Sequence, residues 1–278
     1  MTFRTNLSGV MKYKSFVPPK ISEYIFDSDK TVLAELSAEF ARLDKCIIDL
    51  SDDQRTRLIK TEAHDSWLLS EDTPSNPFSF SLFQPNENSD NLAHATDYAV
   101  EAVTELPISS RLIRNIHYIV CQSPDYDKKY RGEYRTSPVW IGGVDAALTD
   151  ALFVPPVAGD MDFAITDLEN YINYSPENVF IKDAVIHYQF EMIHPFIDAN
   201  GRIGRLLNIL FLVANGVLSY PVLLQSHIIA RDYNRYCNAI QYINENGDIA
   251  LWIKYWLDLM AESAKYTIQA IKNLDYHD

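Results

Sequence analysis

Residues 201–215 read GRIGRLLNILFLVAN, with no proline and apolar side chains on nearly every side. No other segment constrains the fold as tightly. A surface helix concentrates its apolar residues in one stripe, whereas a helix that is apolar all round has to be enclosed by other elements. This one stops at Asn215-Gly216, a common C-terminal signal. The enclosing elements are themselves helical in pattern. Residues 27–50 place Val32, Leu33, Leu36, Phe40 and Leu43 at helical spacing, and a second helix is expected over 53–69. Beyond residue 91 helices are expected at about 91–105, 108–122, 160–173, 179–193, 201–215, 230–244 and 248–272. The fold class is therefore mainly α.

Two regions break the pattern. Residues 1 to about 25 read as irregular, with Val17-Pro18-Pro19 extended. TSPVWIGG and FVPP, within 134–156, join β-branched and aromatic residues to bounding glycines and prolines, which predicts a short β-hairpin. Residues 73–90 carry three prolines among serines and asparagines and read as an exposed loop. They divide an N-terminal helical segment, 1–90, from the remainder, 91–278.

With 278 residues and 47% hydrophobic content, the chain is long enough to bury a real core. A formal charge of −14 argues against nucleic acid as a partner. No apolar run reaches the length of a membrane span, and the opening MTFRTNLSGVMKYKSF lacks the apolar stretch of a signal peptide. The expectation is a cytoplasmic protein without membrane contact. Cys46, Cys121 and Cys237 are odd in number and widely spaced, as reduced thiols are.

The chemistry concentrates just before the enclosed helix, in His194-Pro-Phe-Ile-Asp-Ala-Asn-Gly-Arg-Ile-Gly-Arg205. Asn200 and Gly201 stand where the first backbone N–H groups of the helix have no intrahelical partner, so this end forms an anion site suited to phosphate. Arg202 and Arg205, three residues apart, share one face and can grip phosphate oxygens. Asp198 is a hard oxygen ligand suited to magnesium held jointly with phosphates. His194 titrates near neutrality and is the natural proton acceptor. Phe196 is read as a core anchor. His187 is read as a satisfied core histidine in preference to a second ligand.

This stretch resembles the signature of the Fic family, His-x-Phe-x-(Asp or Glu)-Gly-Asn-Gly-Arg-x-x-Arg, at every position but one. Ala199 stands in place of a glycine, and a positive φ there would cost about 1 kcal/mol or more. The resemblance continues from residue 91 to about 257 through LPISSRLIRNIH, GEYRTSPVWIGG, FVPP and HYQFEMIHPF. It implies a Fic-like helical bundle with a short β-hairpin flap beside the active site. The implied activity is transfer of AMP from ATP, with Mg²⁺, to a Ser, Thr or Tyr hydroxyl of a target protein. His194 would then be the general base and Asp198 the metal ligand. Asn200, Gly201 and the following amides would form the anion hole, with Arg202 and Arg205 on the phosphates.

The resemblance further assigns Trp140, Ile141, Gly142 and Gly143 to a flap that binds the target backbone by strand addition. It assigns Tyr236 and Asn244 to the nucleotide pocket. It also implies a regulatory helix near 53–71 whose glutamate pairs with Arg205. Ser66 fits the start of that motif, but the acid, Glu71, falls one residue late, a rotation of about 100° on a helix. Removal of AMP, transfer of another phosphate-containing group, and a non-catalytic ATP-binding module remain alternatives on the same site. Assembly with further copies of the chain is left open.

Overall fold

The structure is a computed structural model, and it describes residues 2–8, 11–24, 26, 29–69, 87–141 and 147–274. An antiparallel pair, β1 (Thr2–Ser8) and β2 (Met11–Val17), precedes ten α-helices among the described residues. These are α1 (Lys30–Ile48), α2 (Asp52–Leu68), α3 (Glu87–Val103), α4 (Ser110–Val120), α5 (Ala158–Tyr174), α6 (Val179–Ile193), α7 (Asn200–Ala214), α8 (Gln225–Arg231), α9 (Tyr233–Asn246) and α10 (Ile249–Leu274).

The all-round apolar segment is α7, and it lies at the centre beside the equally enclosed α6. Helices α2, α3 and α4 pack on α7, while α5 and α10 pack on α6. α1 buries Leu36, Phe40, Leu43 and Ile47, a stripe at helical spacing, and lies along α10. Its first turn is capped by Asp29, whose side chain accepts from Thr31 N at 2.8 Å. α2 opens with a reciprocal cap between Ser51 and Gln54. The main hydrophobic core takes side chains from β2, from α1 and α2, and from α10.

Three differences from the sequence expectations are physical in origin. The helix expected over 230–244 is α9, which starts only at Tyr233, after an unanticipated α8, because Asp232 leaves helical geometry (φ −143°, ψ 60°) and its carboxylate caps α9 by accepting from Arg235 N. The irregular N-terminus is the β1–β2 pair, paired from Thr2↔Val17 to Ser8↔Met11. The alternation exposed Lys12, buried Tyr13, exposed Lys14, buried Ser15 is the period of a half-buried strand. The hairpin expected in 134–156 is, among the described residues, only a single bridge between Ile141 and Phe153. Gly142 and Gly143 lie outside the described residues.

The N-terminal pair and the flap segment meet. Phe16 N donates to Val154 O at 2.8 Å, and the Phe16 ring, fully buried, lies 5.6 Å from that of Phe153. Tyr13, Leu148 and Val154 form a small cluster at the same place. Arg4 pairs with Asp160 at 2.8 Å on the first turn of α5. The segment at 153–154 thus has Ile141 on one side and β2 on the other.

Candidate active site

α6 ends at His194, which adopts a left-handed conformation (φ 48°, ψ 62°) while its N–H still closes the helix onto Phe190 O at 2.9 Å. Its Nδ1 lies 3.2 Å from Glu191 O. A carbonyl only accepts, so Nδ1 carries the proton and Nε2 keeps its lone pair. Withdrawal from water pulls the imidazole pKa down to about 4, the bond to Glu191 O opposes this, and the nearby Arg135 charge adds to it. The ring is neutral at neutral pH and competent to take a proton.

The loop from His194 to Asn200 is fixed from within and from without. Asn200 turns its carboxamide back on the loop: Nδ2 donates to Phe196 O at 2.9 Å and Oδ1 accepts from Phe196 N at 2.8 Å. The Phe196 ring stacks on His117 of α4 with centroids 3.8 Å apart and planes 4° from parallel. His117 Nδ1 accepts from Gly132 N at 2.9 Å, which puts the ring proton on Nε2, facing Asp198 O at 3.3 Å. Burial lowers the pKa of His117 to about 4, so this neutral tautomer persists. His117 was not anticipated as a site residue. Its signal was a lone histidine on the apolar side of LPISSRLIRNIH.

Ala199 is the N-cap of α7, at φ 64° and ψ 9°, buried, and without a side chain able to cap. The amides of the first turn are therefore left to any ligand at this end. The backbone does require the left-handed region where Ala replaces Gly. Ala199→Gly relieves about 1–2 kcal/mol of strain and forfeits about 0.8 kcal/mol of methyl burial. The net is an expected gain of up to about 1 kcal/mol, read as a raised urea midpoint with unchanged slope.

Around this helix end stand the charged groups. Arg202, 5% exposed, donates from Nη2 to Asp198 Oδ1 at 2.9 Å and from Nη1 to the Tyr126 hydroxyl. Asp198 itself is exposed; Oδ1 also accepts from Ala199 N. Its carboxylate suits a magnesium ion shared with substrate phosphates, since Mg²⁺ commonly takes one or two carboxylates plus phosphate oxygens. Among the described residues no group of three or more His, Cys, Asp or Glu side chains could hold a metal by itself.

Arg205 is buried and is held by Ser66 of α2: Nε donates to Ser66 Oγ at 2.8 Å and Nη2 to Ser66 O at 2.6 Å. Gly201 permits this placement, because a Cβ there would lie 3.0 Å from Arg205 Nη1. The cavity bounded by Glu62, Ser66, Thr96, Arg202 and Arg205 measures about 20 Å³, the space of a single water. Glu62 is buried against Ser226, accepting from its N at 3.1 Å, and burial raises its pKa to about 8. Glu71 lies outside the described residues.

The remaining expected residues are dispersed. Tyr236 is buried with its hydroxyl 2.8 Å from His187 Nε2, and Asn244 Oδ1 accepts from the Tyr188 hydroxyl at 3.2 Å, so both brace α9 against α6. His187 is a satisfied core histidine, with Nδ1 2.6 Å from Asn208 Oδ1 and its ring stacked 4.2 Å from that of Trp256. Trp140 and Ile141 are 43% and 44% exposed at the edge of the flap segment. The three cysteines are free.

A helical bundle whose central helix offers an uncapped N-terminus to an anion, with a histidine at the end of the preceding helix, defines the class. Comparison with known proteins names it. Residues 107–212 match the Fic/DOC family. The protein adenylyltransferase Fic of Aedes aegypti is 30% identical over 148 residues, 52% of this chain and 26% of that protein. That of Drosophila yakuba is 30% identical over 146 residues, 51% of this chain and 26% of the relative. The chain thus matches about a quarter of the length of these curated relatives. The crystal structure of a Fic family protein from Desulfovibrio desulfuricans shares the fold at a TM-score of 0.68 and 16% identity, over 88% of this chain and 76% of that one. A Fic domain containing signaling protein from Bacteroides thetaiotaomicron does so at 0.63 and 20% identity, over 87% and 97%.

Proposed function

We propose that the chain is a protein adenylyltransferase that moves AMP from ATP to a Ser, Thr or Tyr hydroxyl of a target protein, with Mg²⁺. The observation that carries this reading is a neutral His194, its Nε2 lone pair available, at the mouth of an uncapped helix N-terminus flanked by Arg202 and Arg205. Simple nucleotide binding has no need of a base. In the proposed step Nε2 takes the hydroxyl proton, the oxygen bonds to the α-phosphorus, and the bond from that phosphorus to the bridging oxygen breaks to release pyrophosphate. Mg²⁺ on Asp198 would neutralise phosphate charge, while the first-turn amides and Arg202 orient the α- and β-phosphates.

Arg205 would take the γ-phosphate. The hold of Ser66 on its guanidinium supports a restraining role for α2, with Glu71 the proposed partner of Arg205. The proposed setting is the cytoplasm. No helix among the described residues is long and apolar enough to cross a membrane.

ATP labelled at the α-phosphate is expected to label protein in a lysate, and ATP labelled at the γ-phosphate to leave it unlabelled. Labelling from the γ-position would instead establish phosphate transfer. No labelling from either, with Mg²⁺ present and Glu71 replaced by glycine, would remove the transferase reading.

A further inference from the structure

Arg135, in the segment that leads into the flap, is only 2% exposed, and every hydrogen bond of its guanidinium is to a backbone carbonyl. Nε donates to His194 O at 2.7 Å, and Nη2 donates to Ile193 O at 3.1 Å and to Pro156 O at 2.7 Å. Nη1 reaches Ser137 O at 3.4 Å, and the backbone N of Arg135 donates to Pro195 O at 2.9 Å.

Two of these carbonyls, Ile193 and His194, belong to the C-terminal end of α6. Helix geometry leaves such groups without partners, and the helix dipole favours a cation beside them. The third, Pro156, lies two residues beyond the segment 153–154, which bridges to Ile141 and bonds to β2. Only a forked, planar donor set reaches carbonyls in three directions at once; an ammonium on a flexible stem does not. Burial lowers the pKa of Arg135 to about 10, which leaves the group charged at neutral pH.

We propose that Arg135 is a positioning residue for the transfer reaction. It fixes the left-handed turn that aims the His194 imidazole and ties that turn to the flap segment, so that the base and the bound target backbone keep one separation. Arg135 itself touches neither nucleotide nor target. This inference rests on the adenylyltransferase reading, and it assigns to the flap a mechanical link to the base as well as a binding surface.

The test uses Arg135→Lys and Arg135→Ala, the second assayed with and without added guanidinium ion. A base displaced by about an ångström loses on the order of a hundredfold in rate. Both variants are therefore expected to transfer the α-phosphate label roughly ten- to a hundredfold more slowly in kcat. Their ATP affinity, measured by titration calorimetry, should stay within about threefold, since the hydrogen bonds of Arg135 go to the backbone of 137, 156, 193 and 194 and not to the phosphate site. Guanidinium should restore part of the kcat of Arg135→Ala and nothing to His194→Ala. Hydrogen exchange should quicken in peptides covering 190–198 and 150–157 together, with α10 unchanged.

Arg135→Lys turning over at the wild-type rate would overturn the proposal. So would a parallel fall of ATP affinity and of exchange protection along the whole chain, the mark of a purely structural arginine. If Arg135→Ala does not fold, Arg135→Lys carries the same measurements. Should the wild-type protein transfer no label, the adenylyltransferase reading fails, and exchange alone then decides: unchanged protection at 190–198 and 150–157 in Arg135→Lys removes the link.

Discussion

Replacing His194 by alanine is expected to lower AMP transfer by about a hundred- to ten-thousand-fold, the usual worth of a positioned general base, while ATP affinity changes by less than about threefold. The two effects separate because the imidazole meets the attacking hydroxyl, whereas the phosphates are held by first-turn amides, Arg202 and Arg205. The wild-type pH profile provides a second reading of the same residue. The proton acceptor must be neutral, so activity is full above its pKa and falls as pH drops through it. Burial brings that pKa down to about 4. The acidic limb of kcat/KM, which reports the free enzyme, is thus expected well below pH 6.5, the ordinary histidine value. A limb at 6.5 or above would mean that His194 is open to water and held differently from the arrangement described. Loss of ATP binding in His194→Ala would show that the histidine holds substrate and does not serve as the base.

The largest expected loss of stability lies away from the site, at Asn208 on α7. Its Nδ2 donates to Asp183 O at 3.0 Å and to Asp183 Oδ1 at 2.8 Å, and its Oδ1 receives Nδ1 of His187. The second oxygen of Asp183 accepts from Trp256 Nε1 at 2.7 Å. All four side chains are fully buried. Burial raises Asp183 to about 7 and lowers His187 to about 3, so the imidazole is neutral and the carboxyl is only partly ionised at neutral pH. Asn208→Leu keeps the volume and removes both donor and acceptor. It strands the His187 N–H and Asp183 Oδ1, each at about 1–3 kcal/mol for an unsatisfied buried group, and more where the network is cooperative. The expected total is about 3–5 kcal/mol, a large share of the roughly 5–15 kcal/mol that holds a domain folded. Urea denaturation followed by circular dichroism checks it; a loss under about 1 kcal/mol would show that water or rearrangement replaces these bonds.

Most helices were legible because their signals are local. Asp29 and the Ser51–Gln54 pair mark helix starts, the stripe Leu36, Phe40, Leu43 and Ile47 marks a buried face, and 201–215 could only be enclosed. The motif likewise carried its own chemistry, since His194, Asp198, Arg202 and Arg205 lie within a few residues of one helix start. What escaped was set by contacts between distant segments. Nothing near Arg135 or His117 in sequence announces that one would grip the carbonyls of 193 and 194, or that the other would stack on Phe196. β2 was missed because strand pattern competes with helical pattern over so short a span, and its reward comes from Phe153 and Val154, far along the chain. Asp232 interrupts an otherwise continuous helical pattern by using its side chain as a cap, a choice that periodicity does not register.

The docking of β2 on the segment at 153–154 also orders events during folding. Phe16 and Val154 are separated by most of the first half of the chain, and closing so long a loop has to await the helices between them. During synthesis residues 2–17 emerge early and stay without their partner strand until residue 154 has followed. Over that interval Tyr13 and Phe16 are exposed apolar groups on an unpaired edge, the kind of surface on which chains associate wrongly. The wall of the flap thus becomes available only once residue 154 has emerged, and the anion site, carried by residues 198–205 further along the chain, follows it.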